Sequence, residues 1–119
     1  MAKRKKIAIV DDEIEPRKAF KRILSLSYVV DAFIDGQELI NSYCPGEYAA
    51  IIMDTDMRKS IGYEVCAEIR KRDQEVVIIG FSADNEYASR WINAGANEFL
   101  QKPVRTDLLE TILQQHLNV

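Results

Sequence analysis

Five short apolar runs, separated by segments of helical periodicity, restrict this chain more than any other feature. The runs are Ile7–Val10, Tyr28–Phe33, Ala49–Met53, Val76–Phe81 and Glu98–Gln101. They are four to six residues long and rich in β-branched and aromatic side chains, as strands are. Between them, apolar residues recur every three or four positions. The first helix is expected near Glu15-Pro16, where proline's missing N–H costs nothing, with Ala19, Phe20, Ile23 and Leu24 on one face. Asp35-Gly36-Gln37-Glu38 opens the second as a variant capping box, and Pro45-Gly46 ends it. The third spans about Gly62 to Arg72; the fourth starts after Asp84 and stops at Gly95; the fifth follows Pro103. Strand–helix alternation repeated five times predicts an α/β protein with a parallel sheet covered on both faces, and right-handed crossovers make it doubly wound. Glu98-Phe99-Leu100-Gln101 alternates like an edge strand, whereas the third and fourth runs suit central positions.

With 119 residues there is room for one domain, expected to span residues 1–119 with no output domain. The longest unbroken apolar stretch, Tyr48 to Met53, is far short of the ~20 residues a membrane helix needs. The apolar run after Lys3–Lys6 is likewise too short for a cleavable signal. Lys3, Arg4, Lys5 and Lys6 conceal an acidic body, because the other 12 basic and 19 acidic side chains leave a net −7. That balance argues against a nucleic-acid-binding face. The basic run is read as a solubilising flank. Cys44 and Cys66 lack metal-ligand spacing and suit a reducing cytoplasm.

Ligands of doubly wound sheets bind beyond the carboxyl ends of the strands. Asp11-Asp12 follow the first strand here, Asp54 the third, Ser82 the fourth and Lys102-Pro103 the fifth. Three converging carboxylates call for a counter-cation, and hard oxygen ligands suit Mg²⁺. Asp54 can act as a nucleophile toward phosphorus, with Lys102 and Ser82 positioned to contact the transferred oxygens.

Together with Met57, Gly62, Ala83, Ala94-Gly95-Ala96 and Phe99, this set resembles the receiver domain of bacterial two-component response regulators, of the single-domain, chemotaxis-regulator-like type. The resemblance implies a flavodoxin-like (βα)5 three-layer sandwich with strand order 2-1-3-4-5. It implies that a sensor histidine kinase or histidine phosphotransfer protein phosphorylates Asp54. Asp12 would bind Mg²⁺ directly, Asp11 largely through water, and Asp56 through its backbone carbonyl. Lys102 would pair with the phosphoryl group, Ser82 would turn toward it, and Phe99 would switch rotamer. The signal would pass to a downstream target through the face of helix four, strand five and helix five, from a monomer or a phosphorylation-dependent dimer. On this reading the protein is a stand-alone cytoplasmic regulator, not an enzyme beyond slow self-dephosphorylation. It makes no direct contact with nucleic acid or membrane.

Two rival readings compete with this one. Asp54-Thr55-Asp56 also fits the nucleophile motif of haloacid-dehalogenase-type phosphatases, but here the other acidic pair precedes it and the chain is short. The second is a receiver-fold docking module that is never phosphorylated, which the loop Met57-Arg58-Lys59-Ser60-Ile61-Gly62 keeps open because it departs from the family's Met-Pro-x-Met-Asp-Gly. Arg58 and Lys59 are either solvated charges or attractors of a phosphorylated donor. Asp56 and Asp84 add negative charge at the rim. Phe99 is a switch or plain edge packing. Trp91 is either an exposed hot spot or packed against Tyr87 and the next helix. His116 is expected in solvent, Cys66 in the core and Cys44 in a loop.

Overall fold

The computed structural model describes residues 3–117. Five parallel strands form one sheet: β1 (Lys6–Val10), β2 (Val29–Phe33), β3 (Ala50–Asp54), β4 (Val77–Ser82) and β5 (Glu98–Gln101), in the order β2-β1-β3-β4-β5. The five helices are α1 (Ile14–Leu24), α2 (Gly36–Ser42), α3 (Gly62–Arg70), α4 (Ala88–Asn93) and α5 (Thr106–Leu117). This is the doubly wound sandwich that the alternation implies.

Period-two alternation divides the apolar residues between two cores. Ile7, Ile9, Ala50, Ile52, Val77, Ile79 and Phe81 face one way, where Phe20 and Leu24 of α1 and Leu109 and Leu113 of α5 cover them. Ala8, Val10, Ile51, Met53 and Ile78 face the other way, against Leu39 of α2, Val65, Cys66 and Ile69 of α3, and Trp91 of α4. Every residue of β3 and β4 is buried, while β5 is half-exposed at the sheet edge.

Local signals set the helix ends. Asp35 caps α2, accepting a hydrogen bond from the Glu38 N–H at 2.9 Å. The Glu38 carboxylate reaches back one residue beyond the cap, to the Ile34 N–H, so the box is shifted rather than reciprocal. Gly95, at φ +105°, ends α4 in the left-handed region that favours glycine.

Four expectations change. Residues after Asp54 are not an open loop: Asp56–Met57 pairs antiparallel with Ser60–Ile61 in a two-residue ribbon, and Ser60 Oγ accepts from the Gly36 N–H. The fourth helix begins as a 3₁₀ turn over Asn85–Tyr87, leaving α4 only six residues long. His116 is not simply solvated; its Nε2 lies 2.9 Å from Glu98 Oε2 and joins α5 to β5. Lys6 is more than a solubilising charge, because it lies within 3.3 Å of Asp31 and 3.1 Å of Glu47, joining the start of β1 to β2 and to the segment before β3. Cys66 is buried and Cys44 exposed, as expected.

Candidate phosphoryl and metal site

Parallel strands all end at the same side of the sheet, so residues just past β1, β3, β4 and β5 meet there. Val10 is in register with Met53, and Asp54 with Phe81. The acidic pair after β1 therefore adjoins the last residue of β3. Asp11, Asp12 and Asp54 each offer a carboxylate oxygen within 4.8 Å of the others.

Asp54 is nearly enclosed, with only 4% of its surface exposed. Its Oδ1 accepts from the Thr55 N–H at 2.8 Å, and its Oδ2 lies 3.1 Å from Lys102 Nζ. Burial raises its pKa, and Lys102 only partly offsets this, so the carboxyl is pushed up to about 6. Asp11 is fully buried, and burial raises its pKa as well, against the Glu13 N–H that bonds its Oδ1 at 2.9 Å. Its Oδ2 is the one buried side-chain polar atom with no hydrogen-bond partner among the described residues. An acceptor this deep costs free energy unless something satisfies it.

Three carboxylates against one ammonium, with an orphaned oxygen among them, fit a hard divalent cation. The donor set is all oxygen and open to solvent on the Asp12 side, where Asp12, Arg17, Asp35 and Arg58 line a recess of about 160 Å³. A cation there could keep waters for a phosphoryl group to replace.

The other expected residues lie around this centre. Ser82 ends β4 and is buried, with its Oγ accepting from the Asp84 N–H at 3.2 Å. Phe99 is half-buried in β5 and packs against the core that contains Trp91. The Asp56 side chain is exposed on the ribbon. Asp84 caps the 3₁₀ turn, accepting from the Glu86 N–H. Lys59 is exposed, whereas Arg58 reaches the recess. The exposed-hot-spot reading of Trp91 is overturned: the side chain is fully buried. It meets Tyr63 edge-on at 6.4 Å, and Tyr63 in turn stacks with Tyr87. Thr55 was not singled out from the sequence, and no spacing signal marks it.

Among the described residues no helix is long and apolar enough to cross a membrane. Residues 7–114 match the family model of the response regulator receiver domain. The probable transcriptional regulator ycf27 of Guillardia theta is 37% identical over 110 residues, covering 90% of this chain and 43% of the relative. Hybrid signal transduction histidine kinase B of Dictyostelium discoideum is 32% identical over 95% of this chain, but the match covers 7% of that protein. The chain thus spans less than half the length of these curated relatives. Response regulator TrrA of Thermotoga maritima, solved with Mg²⁺ and BeF, superposes with TM-score 0.85 at 31% identity, covering 94% of this chain and 98% of that one. A sensor histidine kinase receiver domain from Pseudomonas aeruginosa, with magnesium in its active-site cleft, gives TM-score 0.87 at 29% identity over 98% and 100% of the two chains. On its family match, its sheet order and the acidic cluster at its strand ends, this chain belongs to the response regulator receiver domains of two-component signalling.

Proposed function

We propose that Asp54 is the phosphoacceptor of a phosphorylation-dependent signalling switch. The observation that carries this reading is the contact of Lys102 Nζ with Asp54 Oδ2 beside the carboxylates of Asp11 and Asp12. In the reaction, an Asp54 oxygen attacks phosphorus as the P–N bond to the donor's phosphohistidine breaks. The electron pair leaves with the imidazole, and an aspartyl phosphate remains. Asp11, Asp12, Asp54 and the backbone carbonyl of Asp56 would hold Mg²⁺. When bound, that ion neutralises the carboxylates and the phosphoryl oxygens.

Lys102 then faces a group with up to two negative charges and three acceptor oxygens. Ser82 gains a better partner than the Asp84 N–H it now serves, and its hydroxyl turns to donate to a phosphoryl oxygen. That shift releases Asp84, the cap of the 3₁₀ turn before α4. Half-buried Phe99 follows the vacated space, and the α4–β5–α5 face changes for a downstream target. This differential contact is the free energy that drives the switch. The donor is a histidine kinase or a histidine phosphotransfer protein, and a cytoplasmic location goes with the reading. Turnover is limited to slow hydrolysis of the aspartyl phosphate.

Incubation with Mg²⁺ and radiolabelled acetyl phosphate tests it. Label is expected in the wild type, and not in Asp54→Asn or after chelation. Equal label in Asp54→Asn, or none in the wild type, rejects Asp54 as acceptor and leaves a docking module.

A further inference from the structure

Helix α4 is held to the body by an unusual anchor. Trp91 is its only buried residue, and that side chain has no solvent exposure. The ring occupies a slot that two glycines leave open. A Cβ on Gly80 of β4 would lie 2.2 Å from Trp91 Cδ2, and one on Gly62, at the start of α3, 2.5 Å from Trp91 Cζ2. Gly80 has no room for any side chain while the indole is in place, and Gly62 is closed by the Asp54 backbone carbonyl as well as by the ring. The wedge therefore touches the strand before Ser82 and the helix that follows the ribbon.

A buried indole N–H needs an acceptor. Trp91 Nε1 donates to Thr55 Oγ1 at 2.7 Å, and that hydroxyl donates to the Phe81 carbonyl at 2.8 Å. Thr55 is itself fully buried, and its backbone N–H is shared between Asp54 Oδ1 at 2.8 Å and the Phe81 carbonyl at 3.0 Å. A continuous hydrogen-bonded path thus runs from α4, through one hydroxyl, to the residue whose amide orients the Asp54 carboxylate. Buried and fully satisfied networks of this kind transmit small displacements, because no member can move without leaving a partner unpaired.

We propose that Trp91 is a positioning residue for the Asp54 site, coupling the placement of α4 to the Asp54 carboxylate through the Thr55 hydroxyl. Its relevance to phosphoryl transfer rests on Asp54 being the acceptor. The coupling itself does not, since it also operates on a cation bound at the carboxylates. Displacing the indole withdraws the donor to Thr55 and leaves its hydroxyl held by the Phe81 carbonyl alone, which loosens the residue whose amide orients the Asp54 carboxylate. Reorienting the Asp54–Thr55 peptide, in turn, pushes on the one buried side chain of α4.

Trp91 is the chain's only tryptophan, so its fluorescence reports on this path without a label. In the wild-type chain, Mg²⁺ titration is expected to give a saturable emission change. In Thr55→Val that change is lost although calorimetry still detects Mg²⁺ binding, and in Thr55→Ser, which keeps the hydroxyl, it returns. Trp91→Phe keeps most of the ring and removes only the N–H. It should slow labelling by acetyl phosphate about fivefold, the value of one hydrogen bond; Thr55→Val, which also removes the bond to the Phe81 carbonyl, should slow it at least as much, and the double variant should be no slower than Thr55→Val alone. An unchanged fluorescence response in Thr55→Val, or additive losses in the double variant, overturns the coupling. A wild type that responds to Mg²⁺ but takes no label rejects the acceptor role of Asp54 and leaves the coupling standing.

Discussion

Lys102 Nζ sits 3.1 Å from Asp54 Oδ2 and 3.9 Å from Glu13 Oε1, among the described residues the only ammonium within salt-bridge distance of a site that gathers three aspartates. It is three-quarters buried, with its Nζ also 5.2 Å from the Phe81 ring centroid, so the charge is held in a low-dielectric setting rather than swept through solvent.

Replacing Lys102 by methionine should therefore cut the labelling rate by about 10²-fold, in the range found when one electrostatic donor is removed from a reacting centre. Rapid-quench labelling with acetyl phosphate at saturating Mg²⁺ measures it. A loss under threefold would mean that Lys102 does not contact the transferred group.

Asp54 should make the Mg²⁺-free protein less stable as pH rises. Its folded-state carboxyl, at about 6, holds its proton more tightly than in the unfolded chain. The resulting destabilisation is absent below about pH 4, grows between pH 4 and 6, and is complete above about pH 6. Asp54→Asn should then raise stability at pH 7 by about 3 kcal/mol, with the gain vanishing near pH 4. Thermal melts in chelator across that range test it, and added Mg²⁺ should narrow the gap by stabilising the wild type.

Asp73 should do the reverse. Burial works against its charge, but the Tyr43 hydroxyl at 2.6 Å and the backbone N–H groups of Gly46, Glu75 and Val76 outweigh it, holding the carboxyl below the usual range. Its stabilisation is full above about pH 4 and lost as pH falls through the folded value. Asp73→Asn should cost about 1–3 kcal/mol at pH 7 and progressively less below pH 4, by urea denaturation at each pH.

Gly80→Ala should destabilise the fold by about 1–3 kcal/mol, because its methyl group enters the Trp91 ring. Combining it with Trp91→Leu, which vacates part of the slot, should cost less than the two single changes added together. Additive losses would show that the methyl is accommodated by backbone movement instead.

Much of this protein is written locally. Alternation in Ile7–Val10 and Val77–Ser82 assigns successive side chains to opposite cores, whichever residues cover them. Asp35 and Gly95 mark helix ends through their own backbone chemistry. Because every strand of a parallel sheet ends on one side, the order Asp11-Asp12, Asp54, Ser82 and Lys102 also determines that these residues meet. What a linear pattern cannot carry is which side chain fills a particular void. Trp91 has the same apolar spacing whether it faces solvent or the sheet, and its burial depends on Gly62 and Gly80 lacking side chains. Its bond to Thr55, 36 residues away, exists only once the Trp91 ring lies against Gly80 of β4. The Glu98–His116 pair and the ribbon after Asp54 are decided in the same way, by close approach of segments whose own composition is compatible with several placements. Periodicity is a property of one element; complementarity of shape and of hydrogen-bonding groups is a property of two.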